Sequence, residues 1–253
     1  MAAPATAVQR LFEACREVFT GTGPGAVPPP AGVERIKSVL DSITAADVRL
    51  TSNMSYFRRV DAHGTPKITY LHLYKCEAFS IGIFCLPSRG VIPLHNHPGM
   101  TVFSKLLFGA MHIKSYDWAA AQQDTPDVQL QGPRLAKVKV DGILTAPHET
   151  SVLYPEDGGN MHCFTAQNAC AVLDVLGPPY DDGSGRHCQY YNVSSSAISV
   201  EHEFCIRIFL KGRRPNGNLY INNWASRSAL IIVNLLVIIT STGKTGTAYS
   251  NKQ

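Results

Sequence analysis

The sequence predicts an all-β fold, a barrel or sandwich, preceded by two α-helices. Three observations carry this reading. From about residue 66 to residue 176, short apolar or alternating segments follow one another with Gly, Pro, Asn and Asp between them, as strands and turns do in a sandwich or barrel. Before residue 45 the apolar residues recur instead at helical intervals. Among 253 residues, 20 Gly and 16 Pro supply the many turns that short strands need.

The elements follow in order. Over residues 6–19, Val8, Leu11, Phe12, Cys15, Val18 and Phe19 share one helical face, opposite Gln9, Arg10, Glu13 and Glu17. Residues 21–30 (GTGPGAVPPP) cannot continue a helix and read as a linker. A second helix is predicted over 32–43, with Val33, Ile36, Val39, Leu40 and Ile43 inward. Residues 67–74 alternate, with Ile68, Tyr70, His72 and Tyr74 on one face and Thr69, Leu71 and Leu73 on the other. The nearly continuous apolar run at 79–86 reads as a strand buried on both faces. A turn at 87–90 leads into a strand over 91–97, which Pro98-Gly99 breaks. Further strands are expected at 100–108, 111–118, 134–140, 142–146, 150–153, 162–166 and 170–176. Turns are expected at Gly109-Ala110, Asp141-Gly142, Pro147-His148 and 155–160, and an exposed polar loop at 124–132. The chain divides into a helix and linker (1–30), a helix plus barrel (31–200) and a C-terminal tail (201–253).

A hydrophobic content of 45% with 17% charged residues describes a globular chain. The net charge of +4 is unevenly placed: the tail carries seven Lys/Arg against two acids, a net +5, which leaves residues 1–200 at −1. A near-neutral body gives no reason to expect nucleic-acid binding. The seven cysteines are odd in number, form no C-x-x-C pair and follow no apolar signal segment, so a reducing, intracellular compartment is expected. The glycosylation sequons at Asn53 and Asn192 carry no weight without secretion. Residues 229–239 (ALIIVNLLVII) are too short for a membrane span of about 18–20 residues, and no membrane association is expected. The sequence STGKT at 241–245 resembles the end of a phosphate-binding loop, but Ile238 stands where such a loop requires glycine.

Chemistry concentrates in residues 93–100 (PLHNHPGM). His95 and His97 lie two apart in a predicted strand, so they share a face. Paired neutral imidazoles suit a metal, with ordinary strand histidines as the alternative. A third ligand could come from His72, His112, His148, His162, His187 or His202. His162 stands out, because it follows a turn-rich lead-in and begins an apolar strand with Cys163 and Phe164. His72 and His112 read as core or rim residues with polar tips, and His148 as exposed. An H-x-H strand followed by Gly-x-x-His (Gly159 to His162) is the two-motif pattern of a cupin, a double-stranded β-helix or jelly-roll barrel. The Glu that most metal cupins carry soon after H-x-H is absent, since Pro98, Gly99, Met100 and Thr101 follow. Three neutral ligands leave the charge of a divalent ion intact, which suits a substrate that brings its own anion, such as a thiolate. They also leave about three positions open on an octahedral iron. Hydrolytic zinc is compatible with the same ligand set.

Residues 68–74, 79–87 and 91–118 closely resemble the plant cysteine oxidases, of the cysteamine-dioxygenase-like group of cupin thiol dioxygenases, and the resemblance extends over about residues 6–200. It implies a mononuclear Fe(II) enzyme that adds both atoms of O2 to the thiol of a protein's N-terminal Cys, giving a sulfinic acid. The implied substrates include ethylene-response-type transcription factors, whose oxidised N-terminus permits arginylation and degradation, so that the N-degron pathway reports low oxygen. A monomer in nucleus and cytoplasm is expected. By motif, His95, His97 and His162 become the iron ligands, Asp174 (in LDVL) the active-site acid and Tyr180 (in PPY) its neighbouring tyrosine. The roles implied for Asp174 and Tyr180 are to bind the substrate α-amino group and to place or protonate oxygen intermediates. An acid inside AVLDVL is costly unless paired, which favours function there. Cys188 and Tyr190 match the position of a Cys–Tyr cross-link in animal relatives; none is expected here. After Val200 the resemblance ends, and the acidic, Trp-containing segment expected of the family is replaced by a basic, apolar one. Two other readings fit the histidines: a zinc or manganese cupin acting as isomerase or hydrolase, and an inactive metal- or peptide-binding module.

Overall fold

A computed structural model describes residues 4–119, 133–200 and 203–212. The expected loop at 124–132, the apolar run at 229–239 and the STGKT segment lie outside the described residues. Helix α1 (Ala7–Phe19) opens on a capping box, in which Gln9 N–H donates to Thr6 Oγ1 and Thr6 N–H donates to Gln9 Oε1. Its predicted face is buried through Val8, Leu11, Cys15 and Phe19. Helix α2 (Pro30–Ser42) begins two residues earlier than the apolar spacing indicates, because proline fits the first helical turn, where its missing N–H costs nothing.

The strands are β1 (Thr69–Lys75), β2 (Ser80–Leu86), β3 (Val91–His95), β4 (Thr101–Phe108), β5 (Ala110–Trp118), β6 (Arg134–Thr145), β7 (Ser151–Leu153), β8 (Met161–Ala166), β9 (Cys170–Gly177), β10 (Tyr190–Val200) and β11 (Glu203–Gly212). One sheet has the order β1-β2-β9-β4-β7, and the second, β10-β11-β6-β5-β8-β3, closes on itself. From β2 to β5, and again from β7 to β10, successive strands alternate between the two sheets. That winding is the double-stranded β-helix, so the all-β cupin barrel with two N-terminal helices is the observed fold.

The central strand β9 is buried at every position, as a run apolar but for Asp174 requires. Ala171, Leu173 and Val175 pack with Leu11, Phe19 and Ile36 in the layer under the helices. Val172 faces the opposite way, into a second layer with Ile92, Met111, Ile113 and Phe164 of the other sheet. Alternation therefore turns Asp174 toward the space between the sheets. The last turn of α2 is tied to the barrel by Asp41, whose Oδ1 accepts from Thr150 N and Thr150 Oγ1 at 2.7 Å each and from Lys105 Nζ at 3.1 Å. The buried Lys105 ammonium also donates to the His148 carbonyl at 2.6 Å.

Other features also differ from the sequence expectation. Asp141-Gly142 is not a turn: β6 runs through it, pairing Lys114 with Asp141 and Ile113 with Gly142. Asp141 is held there by His112 Nε2 and Lys114 Nζ, each 2.8 Å away. Strands β10 and β11 were not among the expected strands: β10 is rich in Ser, and β11, though largely apolar from Phe204 to Leu210, falls in the segment read as a tail. Strand β11 lies beyond Val200 and closes the second sheet, pairing with β10 and, from Cys205 to Ile208, with β6. No helix among the described residues is long and apolar enough to cross a membrane.

Candidate metal centre

The strand that brings His95 to the site carries a register shift. Pairing passes from Ile92↔Phe164 to His95↔His162, so β3 advances three residues while β8 advances two. His162 and Phe164 lie two apart and share a face of β8. The extra β3 residue puts His95 on the same face as Ile92, which strict alternation would forbid. His97 is not in the strand at all, since β3 ends at His95. It is held from outside: Asn160 Oδ1 accepts the His97 N–H at 3.0 Å, and Asn160 Nδ2 donates to the His97 carbonyl at 2.9 Å. Gly159 and Asn160 in turn donate their backbone N–H groups to the Asp117 carboxylate of β5, at 2.9 and 3.0 Å. Glycine is required at 159, where φ is +84° and a Cβ would lie 2.4 Å from Ser115 Oγ.

The three histidines converge. Their ligand atoms lie within 4.8 Å of one another, and each ring is at most 8% exposed. His95 Nδ1 is 2.8 Å from the Pro93 carbonyl, to which only a protonated nitrogen can bond. The Tyr180 hydroxyl donates to the Asn96 carbonyl at 2.7 Å, so its oxygen is left to accept from His97 Nδ1 at 3.0 Å. In both rings the proton is on Nδ1 and the Nε2 lone pair is free, the arrangement metal-binding imidazoles use. His97 Nε2 and His162 Nε2 are 3.3 Å apart. Without a metal one of these nitrogens donates its proton to the other, and with a metal both lone pairs can ligate it. Burial depresses all three imidazoles, His95 to about 4 and the others well below their usual range, so all are neutral at pH 7. The donor set fits a divalent metal.

Asp174 lies on the inner face of β9, between Gly82 of β2 and Ser104 of β4 in register. Burial raises its carboxyl to about 7, against a weaker opposing bond from Ser104, and Oδ1 has no partner. Its charge acts on Tyr70 and Tyr180. Gly82 leaves room for Tyr70, whose hydroxyl would lie 2.2 Å from a Cβ there. Cys188 sits beside Tyr180 and Tyr190, and burial raises its thiol pKa. His72 is exposed, while His112 and His148 are half-buried, and none of them joins the cluster. Sequence reasoning missed Asn160, Asp117 and Tyr70. Only Tyr70 had a signal, the lone Gly82 in an apolar strand.

The family model PCO_ADO matches residues 39–207. Plant cysteine oxidase 1 of Arabidopsis thaliana is 60% identical over 189 residues, 74% of this chain and 63% of that protein. Plant cysteine oxidase 2 of the same plant is also 60% identical, over 77% of this chain and 69% of its own length. The 2-aminoethanethiol dioxygenase of Mus musculus is 31% identical over 75% of this chain and 80% of that protein. The chain thus spans less than two thirds of the first of these relatives. A match running from α2 into β11, across every residue of the three-histidine centre, places the chain in the family of plant cysteine oxidases and 2-aminoethanethiol dioxygenases.

Proposed function

We propose that this chain is a thiol dioxygenase that converts the N-terminal cysteine of protein substrates to cysteine sulfinic acid, with Fe(II) held by His95, His97 and His162. The observation that carries the proposal is a buried cluster of three neutral imidazoles containing no carboxylate. When bound, ferrous iron supplies the positions at which thiolate and dioxygen meet, and its charge, uncancelled by the ligands, favours the thiolate. Both oxygen atoms pass to sulfur, so RSH and O2 give RSO2H without an external reductant.

The chain's own residues prepare this chemistry. The Pro93 carbonyl and Tyr180 hydroxyl hold His95 and His97 with Nε2 available. Asp174 offers an unpartnered oxygen to the substrate ammonium, and its raised pKa lets it hold or release a proton near neutrality. Met100, Val102, Leu153 and Leu176 pack beside Tyr180 and exclude water. The family resemblance supports ethylene-response-type transcription factors as substrates, a role in oxygen sensing through the N-degron pathway, action as a monomer, and residence in nucleus and cytoplasm.

The deciding experiment loads the anaerobic protein with Fe(II), adds a peptide beginning with Cys, and follows peptide mass and oxygen uptake. A gain of two oxygen atoms on the cysteine is expected. Full iron loading with no mass gain would overturn the proposal. Tight zinc or manganese binding with catalysis independent of oxygen would point to an isomerase or hydrolase.

A further inference from the structure

We propose that Asn160 is the residue that positions His97 for metal binding. His97 follows the end of β3, so its backbone N–H and C=O have no ladder partner there, and within its own turn only the C=O is met, by Met100 N–H at 3.2 Å. The Asn160 side-chain amide satisfies both, donor to acceptor and acceptor to donor, as a neighbouring strand would. Its second amide hydrogen goes to the Tyr154 carbonyl at 2.8 Å. The amide orientation is therefore fixed, because a flipped group would set its oxygen against two carbonyl oxygens.

The backbone of Asn160 is itself immobilised. Asp117, with a side chain only 11% exposed, accepts from both Gly159 and Asn160. Two residues later the same segment supplies His162, which pairs in register with His95. Residues 159–162 thus deliver one ligand and clamp another, and the 3.3 Å separation of His97 Nε2 from His162 Nε2 depends on both. Without the clamp, His95 and His162 stay fixed by their strands, while the His97 N–H loses its acceptor and His97 keeps only Tyr180 on its ring and Met100 N–H on its carbonyl. Asn160 touches none of the three imidazole rings among its hydrogen bonds, so it is a positioning residue, and it acts on the affinity and symmetry of the metal site.

The inference rests on the three-histidine reading, and the test separates the two. The full chain, without metal, is titrated with Co(II), following the visible d–d bands and the binding heat, for wild type, His162→Ala, Asn160→Ala and Asn160→Asp. Wild type must bind one equivalent and His162→Ala must lose it; if wild type binds none, the three-histidine reading itself fails, and this inference with it. Asn160→Ala is expected to bind about 10–100-fold more weakly, with an altered d–d spectrum, at a temperature where circular dichroism shows it folded. Asn160→Asp keeps an acceptor for the His97 N–H but opposes a carboxylate to two carbonyls, so it is expected to weaken binding at least as much. Wild-type affinity and spectrum in either folded variant, beside a normal wild-type titration, overturns the role of Asn160 alone.

Discussion

The Tyr180 hydroxyl bridges two groups of the H-x-H segment, donating to the Asn96 carbonyl at 2.7 Å and accepting from His97 Nδ1 at 3.0 Å. A tyrosine that would otherwise read as packing thereby sets the tautomer of His97, the proposed metal ligand. Tyr180→Phe keeps the ring and removes both bonds. It is expected to lower metal affinity or turnover by about 10–100-fold, with little change in melting temperature. Titration with Fe(II) under argon, paired with steady-state oxygen uptake, measures both. Wild-type values for affinity and turnover would show that His97 needs no such partner.

His162 joins the other two histidines, its Nε2 3.3 Å from His97 Nε2 and its backbone opposite His95 in the ladder, so the proposed iron site depends on it. His162→Ala leaves two imidazoles and an open wall. The purified variant is expected to retain far less than one equivalent of iron by elemental analysis, with no turnover of a Cys-initiated peptide. A variant that kept its iron and activity would remove His162 from the ligand set.

The sequence was most informative where side-chain type and spacing act locally. The helix faces and the doubly buried β2 follow from period and composition, and His95, His97 and His162 stand out by residue type and by the turn before His162. It was least informative where long-range pairing decides. Asp141-Gly142 has the composition of a hairpin turn, yet an ion pair with Lys114 and a hydrogen bond with His112 hold it in mid-strand. Strand β10 has too little apolar alternation to announce itself, and becomes a strand by pairing with β11 and β3. Asn160 looks like one more polar residue of a turn, because nothing local marks its contact with a segment 63 positions away. The strand assumption also predicted that His95 and His97 share a face for the wrong reason: a register shift and a side-chain clamp bring the rings together, not alternation.

Asp174 opposes function to stability. Burial raises its carboxyl to about 7, so the folded state binds its proton more tightly than the unfolded chain, whose value is near 3.8. The favourable contribution is complete below the unfolded value and is lost as pH rises toward 7. Above 7 the folded protein carries a buried, ionised carboxylate. Asp174→Asn removes that charge. Without metal, the variant is expected to melt above wild type at pH 8, by at most on the order of 4 kcal/mol. The gap should narrow steadily toward pH 4. It should still bind iron but turn over more slowly, because Asn can neither pair with the substrate ammonium nor move a proton. Melting curves from pH 4 to 8 test the first part, and peptide oxidation tests the second. Equal turnover would reject a catalytic role for the carboxylate.

Asp41 shows the opposite sign at the junction of helix and barrel. Partial desolvation would raise its pKa, but the bonds from Thr150 and the Lys105 ammonium outweigh it and hold the carboxyl below its ordinary value of 3.8. The contribution is present above 3.8 and is lost as pH falls through the lower folded value. Asp41→Asn keeps an acceptor for Thr150 but leaves the Lys105 ammonium, with a side chain only 9% exposed, without its counter-charge. Asp41 itself is 33% exposed, so solvent screening tempers the loss to roughly 1–3 kcal/mol at pH 7. The variant should unfold at lower denaturant than wild type at neutral pH, and the two curves should approach each other below pH 4. Because Asp41 holds the end of α2 against β4 and the start of β7 rather than the histidine wall, metal affinity should not change. A difference that stayed constant down to pH 2 would mean that packing, not the carboxylate charge, joins helix to barrel.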